Sequence, residues 1–189
     1  PFDEERNGLN LGEGAGFLML EAESIVIKEK KTVLCELSGY GNACDAFHQT
    51  ASSPEGDGAY LSMKKALDTA HLEPSMIDYI NTHGTGTKNN DLSEGKAIER
   101  LFGNTPPPCS STKAYTGHTL GAAGAIEAVF CTLAIQQGII YPNLRFQNQM
   151  NELSFSPVAS LQTNRPLKHI MSNSFGFGGN NTSLIFSAI

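Results

Sequence analysis

The spacing of apolar and polar positions changes several times along the chain, and each change marks an element. Ala15-Gly16-Phe17-Leu18-Met19-Leu20-Glu21 is a short continuous apolar run, which predicts a strand buried on both faces. Glu23 to Lys31 reads as a charged link. Thr32–Leu37 predicts a second strand running into Ser38-Gly39-Tyr40-Gly41-Asn42, where the glycines mark a bulge or the close approach of another backbone. From Asp57, an N-cap residue type, the period turns helical: Leu61, Ala66, Leu67 and Ala70 share a face, and His71-Leu72-Glu73-Pro74 is the stop. Ile77–Thr82 predicts a strand, and Asn89–Phe102 an amphipathic helix with Leu92, Ile98, Leu101 and Phe102 inward and Gly103-Asn104 as its end. Cys109–Lys113 is another short strand. Gly117-His118-Thr119-Leu120-Gly121-Ala122-Ala123-Gly124-Ala125 opens a helix reaching about Gln137, whose small and apolar residues on several faces predict a central position. Met150–Thr163 is polar, irregular and expected at the surface. His169–Ser174 and Thr182–Phe186 form a strand pair around Phe175-Gly176-Phe177-Gly178-Gly179-Asn180.

Alternating strands and helices closed by a hairpin predict an α/β fold with a mixed sheet between helices. The length of 189 residues, with 40% hydrophobic and 17% charged residues, suits one substantial core or two tightly joined lobes. A formal net charge of −6 without clustered Lys and Arg argues against nucleic acid or an anionic membrane as partner. No apolar run approaches the roughly 20 residues of a membrane span, so no membrane partner is expected. The chain opens on Pro1-Phe2-Asp3 without a secretory signal, and the numbering is expected to begin inside a longer protein. The four cysteines show neither CxxC spacing nor a His-Cys cluster, which excludes a zinc-type site from expectation and fits a reducing cytoplasm. Cys109-Ser110-Ser111 has the look of a nucleophile followed by hydroxyls. Pro106-Pro107-Pro108 before it and Ser-Thr-Lys after it read instead as a loop entering a buried strand, where a structural thiol is the commoner case.

The candidate chemistry lies in the turns. Asn81-Thr82-His83-Gly84-Thr85-Gly86-Thr87 ends an apolar strand with an imidazole and a glycine-rich turn, a way to set a hydrogen-bonding group beside a narrow backbone bend. Lys113 and His118 flank a second such turn, and His118 is expected at or near a helix N-terminus, where a neutral ring is favoured. Two imidazoles converging on one carbonyl oxygen would stabilise negative charge developing on a thioester or enolate. Thr85 and Thr87 can hydrogen-bond an amide-bearing substrate arm or serve only their own backbone. Asp91 can cap the helix that follows, and Glu94 is another carboxylate close to these turns. Glu127, set in an apolar helix, needs a partner, for which Lys113 is the candidate. Phe175 and Phe177 stand among glycines, a composition that lets a backbone pivot while a ring closes a pocket.

Four ordered motifs resemble one family: His83-Gly84-Thr85-Gly86-Thr87 with Asn90-Asp91 and Glu94, Ser111-Thr112-Lys113 with Gly117-His118, Gly121 to Glu127, and Asn173 to Asn180. Together they resemble the C-terminal half of elongating, decarboxylating β-ketoacyl-acyl-carrier-protein synthases, and Pro1 to Glu21 resembles the end of that family's N-terminal half. The resemblance assigns residues 1–31 to the end of that N-terminal half and 32–189 to the C-terminal domain. It implies a thiolase-like layered fold, a homodimer of the full-length protein, and a Claisen condensation of substrates on acyl carrier protein. It implies no bound cofactor, the phosphopantetheine being carried by the substrate. By the same resemblance His83 and His118 match the two histidines that bind the thioester carbonyl, and Lys113 the lysine supporting them. Thr85 and Thr87 match the hydroxyls that meet the pantetheine arm, Phe177 the gating aromatic, and Glu127 the carboxylate near the site. The family's nucleophilic cysteine lies earlier in the N-terminal half, at a position this chain does not reach, and Cys109 falls in the strand before the lysine motif. Gly86, Lys88 and Ala114 stand where the family more often has a small hydroxyl, a proline and a serine. Rival readings are a non-condensing partner subunit of the chain-length-factor type and a thiolase-fold module that holds acyl carriers without chemistry.

Overall fold

The computed structural model describes residues 1–189. Its centre is a five-stranded mixed sheet in the order β1-β5-β4-β2-β3, made by β1 (Glu36–Cys44), β2 (Tyr79–Asn81), β3 (Cys109–Ser110), β4 (His169–Phe175) and β5 (Asn180–Ser187). β2 runs parallel to both β3 and β4, whereas β5 is antiparallel to β4 and to β1. The central strands alternate strictly. Ile80, Met171 and Ile185 face one core with α2 (Asp57–Ala70) and α3 (Lys88–Phe102). Tyr79, Ile170 and Phe186 face the other, with Ala128, Cys131 and Ala134 of α5 (Ala123–Gln137). A period of two that buries both faces is what a sheet between helix layers requires.

The glycines of β1 act as their position implies. The β1–β5 register shifts between Leu37 and Gly39. A Cβ on Gly39 would lie 2.5 Å from the Ala66 carbonyl oxygen, and one on Gly41 2.0 Å from that of Ser62, so α2 rests directly on the strand backbone. This strand starts at Glu36 and runs through the glycines, later than predicted, because that stretch is what pairs with β5. In α2 the N-cap is Gly56 and Asp57 is the first helical residue, its carboxylate taken by the Ser53 hydroxyl and by Arg100. Leu61 is exposed; the inward face is Ala59, Met63, Ala66 and Leu67, because helix–sheet contact is made by the small residues that allow close approach. α3 begins at Lys88 with Thr87 as its cap.

Further expectations are corrected. The apolar run at 15–21 forms no strand: Phe17 is 90% and Met19 88% exposed, since no element of this chain pairs with it. The charged link is a short helix, α1 (Glu23–Glu29). Met150 and Leu153 in the supposed surface stretch are buried against Phe2, forming a small satellite core that ties the N-terminus down. The helical segment predicted from Gly117 is broken. α4 (Lys113–Thr116), the turn of His118 and a 3₁₀ turn at Leu120–Ala122 precede α5. Residues 120–137 are apolar and long enough, by length and composition alone, to cross a membrane, which run length had not indicated; one side of this segment packs on β4.

Candidate active site

Parallel strands β3, β2 and β4 all end on one edge of the sheet, the place where an open α/β sheet presents loops for a site. His83 follows β2, Lys113 follows β3, and Phe175 ends β4. The rings of His83 and His118 meet edge to face with centroids 5.3 Å apart, and Phe175 lies 5.8 Å from His83 on another side. The two turns that sequence places far apart are therefore one wall.

The His83 turn is built from inside the protein. Glu94, reaching up from α3, accepts the N–H groups of His83 and Gly84, each at 2.9 Å, and the Asn173 amide at 3.1 Å. Ser111 donates its hydroxyl to the Gly84 carbonyl at 2.8 Å, tying the β3 turn to the β2 turn. Gly84 and Gly86 adopt left-handed φ of 41° and 80°, the conformations the tight bend demands. Burial is the first cause that holds the His83 ring well below its ordinary imidazole value, with the charges of Lys113 and His118 adding to it. Burial also pushes the Glu94 carboxyl up to about 7, against its three donors.

The His118 turn is held from outside. The N-terminal segment runs past it: the His118 N–H donates to the Asn10 carbonyl at 2.7 Å, and Gly12 donates back to the His118 carbonyl at 3.1 Å. Nδ1 of His118 accepts the Leu120 N–H at 3.2 Å, and Leu120 takes a left-handed φ of 53° to make that bend. An acceptor at Nδ1 puts the ring proton on Nε2, which is then free to donate. Desolvation lowers this imidazole too, with the Lys113 charge second. The expected helix N-terminus is not the cause, because His118 precedes a 3₁₀ turn and α5 begins five residues further on.

Lys113 and Glu127 form a buried ion pair. Burial raises the Glu127 carboxyl against the pull of the ammonium, and its second oxygen has no hydrogen-bond partner in the chain. Asp91 does not cap α3. It accepts the N–H of Phe2 at 2.7 Å and of Gly86 at 3.1 Å and sits 3.8 Å from Arg6, so it staples the N-terminus to the His83 turn. Thr87 uses its hydroxyl as the α3 cap and shares a hydrogen bond of 2.9 Å with Thr85, which lines the neighbouring cleft. Phe175 is buried at the histidines, whereas Phe177 is 77% exposed on a 3₁₀ turn and does not touch them. Cys109 is buried, and burial pushes its thiol far up, so it has no thiolate to offer.

A cleft of about 480 Å³ opens beside the wall, lined by Thr85, Gly86, Lys113, Ala114, His118 and Arg145, among others, with residues of the N-terminal segment. Sequence reasoning missed Arg145 and the buried amide Asn143, and it gave no role to the buried amides Asn81 and Asn173 that its motifs contain. Asn143 accepts the Ser111 N–H at 2.9 Å and donates to the Pro1 carbonyl at 2.7 Å, joining three segments at once. The available signal was an amide or hydroxyl directly after an apolar strand, as in Ile80-Asn81 and Met171-Ser172-Asn173.

Comparison with known proteins agrees with this geometry. The family described as Beta-ketoacyl synthase, C-terminal domain, matches residues 34–147. The 3-oxoacyl-[acyl-carrier-protein] synthase 2 of Staphylococcus aureus is 41% identical over 188 residues, covering 98% of this chain and 47% of that protein. The protein of the same name from Rhizobium meliloti (strain 1021) is 44% identical over 187 residues, covering 98% and 44%. The chain thus spans about half the length of these curated relatives. Among solved structures, the ishigamide ketosynthase/chain length factor superposes with a TM-score of 0.95 at 37% identity, over 100% of this chain and 46% of that one. A ketosynthase bound to the hexaketide and in complex with its type II PKS acyl-carrier protein gives 0.95 at 31%, over 100% and 47%. A beta-ketoacyl synthase from Burkholderia phymatum STM815 gives 0.90 at 33%, over 100% and 46%. With shared sequence and shared backbone running the length of the chain, and a thiolase-like fold in common, the chain belongs to the β-ketoacyl synthase family.

Proposed function

We propose that this chain supplies the His/His/Lys half of a 3-oxoacyl-acyl-carrier-protein synthase, an acyltransferase that condenses a malonyl-carrier thioester with an acyl thioester in fatty acid or related biosynthesis. The observation that carries the reading is the edge-to-face contact of two neutral imidazoles at 5.3 Å, beside a buried Lys113–Glu127 pair. Loss of carbon dioxide from a malonyl thioester leaves an enolate whose charge grows on the thioester oxygen. Neutral donors fixed beforehand in a dry wall stabilise that charge without reorganisation. The Nε2–H of His118, set by the Leu120 N–H, is such a donor, and the buried His83 ring is the second. Burial first, and the Lys113 charge second, keep both rings from taking up a proton. The enolate then attacks the acyl thioester held by a cysteine of the N-terminal half.

On the same reading, residues 1–31 are the end of that half and 32–189 the C-terminal domain. Thr85 meets the pantetheine arm, with Thr87 fixing its hydroxyl, and Phe177 gates the acyl side from a turn whose Gly178 N–H is held by the Gln49 carbonyl at 2.8 Å. The partner is an acyl carrier protein, whose phosphopantetheine brings the substrate, and the whole protein is a cytoplasmic homodimer. The uncovered run Phe17-Leu18-Met19-Leu20 and four free cysteines support these two points. Retention of both histidines favours the condensing enzyme over a non-condensing partner subunit. The test is carbon dioxide release from malonyl-carrier by the complete protein. Release that disappears on replacing either histidine is expected; a complete protein that binds the carrier and releases none overturns the reading.

A further inference from the structure

We propose that Arg145 is the anion anchor of the cleft, taking the phosphodiester of a phosphopantetheine-borne substrate. This rests on the function proposed above and adds a binding residue that the motifs do not contain.

The cleft of about 480 Å³ is lined by four side chains that carry or can carry positive charge: Arg6, Lys113, His118 and Arg145. Three are committed. Arg6 donates to the carbonyls of Asp3, Thr87 and Lys88 and faces Asp91, while Lys113 is paired with Glu127. The His118 ring is held neutral by desolvation and the Lys113 charge. Arg145 has no ion pair and no side-chain hydrogen bond within the chain and is exposed at the cleft. Of the carboxylates in the lining, Asp3 is occupied by the N–H groups of Glu5, Gln147 and Asn148, and Glu5 makes no ion pair.

The backbone around Arg145 is bent and tied down. Its φ is 64°, a left-handed conformation that strains a non-glycine residue. Two residues earlier, buried Asn143 is bolted to Ser111 and Pro1, so the bend is fixed to the same turn that holds Lys113. An unpaired guanidinium carried on a fixed bend suits a phosphate oxygen pair, which it can meet with two parallel N–H donors.

A malonyl thioester on phosphopantetheine carries two anions, the terminal carboxylate and the phosphodiester. The terminal carboxylate must leave as neutral carbon dioxide, and a guanidinium on it would stabilise the ground state and raise the barrier. The phosphodiester keeps its charge throughout, so an anchor there aids binding without that cost.

The experiment compares the complete protein with its Arg145→Gln and Arg145→Lys variants on malonyl-carrier, malonyl-CoA and the phosphate-free malonyl-N-acetylcysteamine. Arg145→Gln is expected to raise KM roughly tenfold for the phosphate-bearing substrates with kcat little changed, and to leave the phosphate-free thioester unaffected. Arg145→Lys should recover part of the loss. A KM rise confined to malonyl-carrier would put the contact on the carrier surface and overturn the proposal; an equal change on the phosphate-free thioester, or no change on any, would overturn it as well. Failure of the unmodified protein to decarboxylate any of the three would instead strike at the proposed function. Unchanged thermal unfolding of Arg145→Gln separates binding from folding.

Discussion

The two histidine turns bring their rings to one wall by opposite constructions. The His83 turn is wired from within: Glu94 takes two consecutive N–H groups, and Asn173 and Ser111 complete the bend, all buried. The His118 turn is half exposed and takes its shape from a strap of residues 10–12 laid across it. The inner turn depends on a buried carboxylate and the outer one on a chain segment from the far end of the sequence. What they share is a neutral imidazole, reached in both cases through desolvation and the nearby Lys113 charge.

Glu94→Ala leaves three buried donors unpaired and should cost about 4 kcal/mol in urea unfolding. A loss under about 1 kcal/mol would show that the inner turn does not depend on it.

A pH series sharpens the same point. The folded pKa of about 7 lies above the ordinary 4.5, so protonation favours the fold: the contribution is complete below about 4.5 and is lost as pH rises through about 7. Against Glu94→Gln, the unmodified protein should gain on the order of 3 kcal/mol between pH 7.5 and pH 4.5. A flat difference would mean that the carboxylate is as well solvated by its donors as by water. The histidines act in the other direction. Their lowered values favour the neutral fold above pH 6.5, a contribution lost as pH falls below it, and the variant pair cancels this.

At the level of chemistry the turns should be equivalent. His83→Ala and His118→Ala should each slow malonyl decarboxylation by the complete protein about 100-fold, the scale of one lost oxyanion donor. Effects of a few-fold in either would withdraw the shared role. The smallest expected change probes the strap alone. A Cβ on Gly12 would fall 1.9 Å from the Thr116 carbonyl oxygen, so Gly12→Ala should lift the strap and slow decarboxylation roughly tenfold while urea unfolding of the sheet core barely moves. If Gly12→Ala unfolds the core as Glu94→Ala does, the strap is part of the core and the contrast between the turns disappears.

Much of this was legible in the letters, and unevenly so. The alternating strands, the ends of α2 and α3, the close glycines of β1 and the need of Glu127 for a cation all follow from residue type and spacing, because they are short-range or one-body properties. The motif order likewise pointed to His83, Lys113 and His118 as one group. Residues 15–21 misled because an apolar run records a need for burial but not the partner that meets it; here Phe17 and Met19 stay exposed. Met150 and Leu153 misled in the opposite sense, as two apolar residues in a polar stretch whose partner, Phe2, lies at the other end of the chain.

Local chemistry therefore determined which residues form strands, helices and tight turns, and which side chains are able to donate, accept or hold charge. Tertiary structure alone decided that His83 and His118 touch, that Asp91 staples the N-terminus instead of capping its helix, that Glu94 holds the inner turn, and that Arg145 is left unpaired at a cleft. The reason is physical: pKa shifts, unpaired charges and ring contacts depend on distances between residues remote in sequence, and those distances exist only once the sheet has closed.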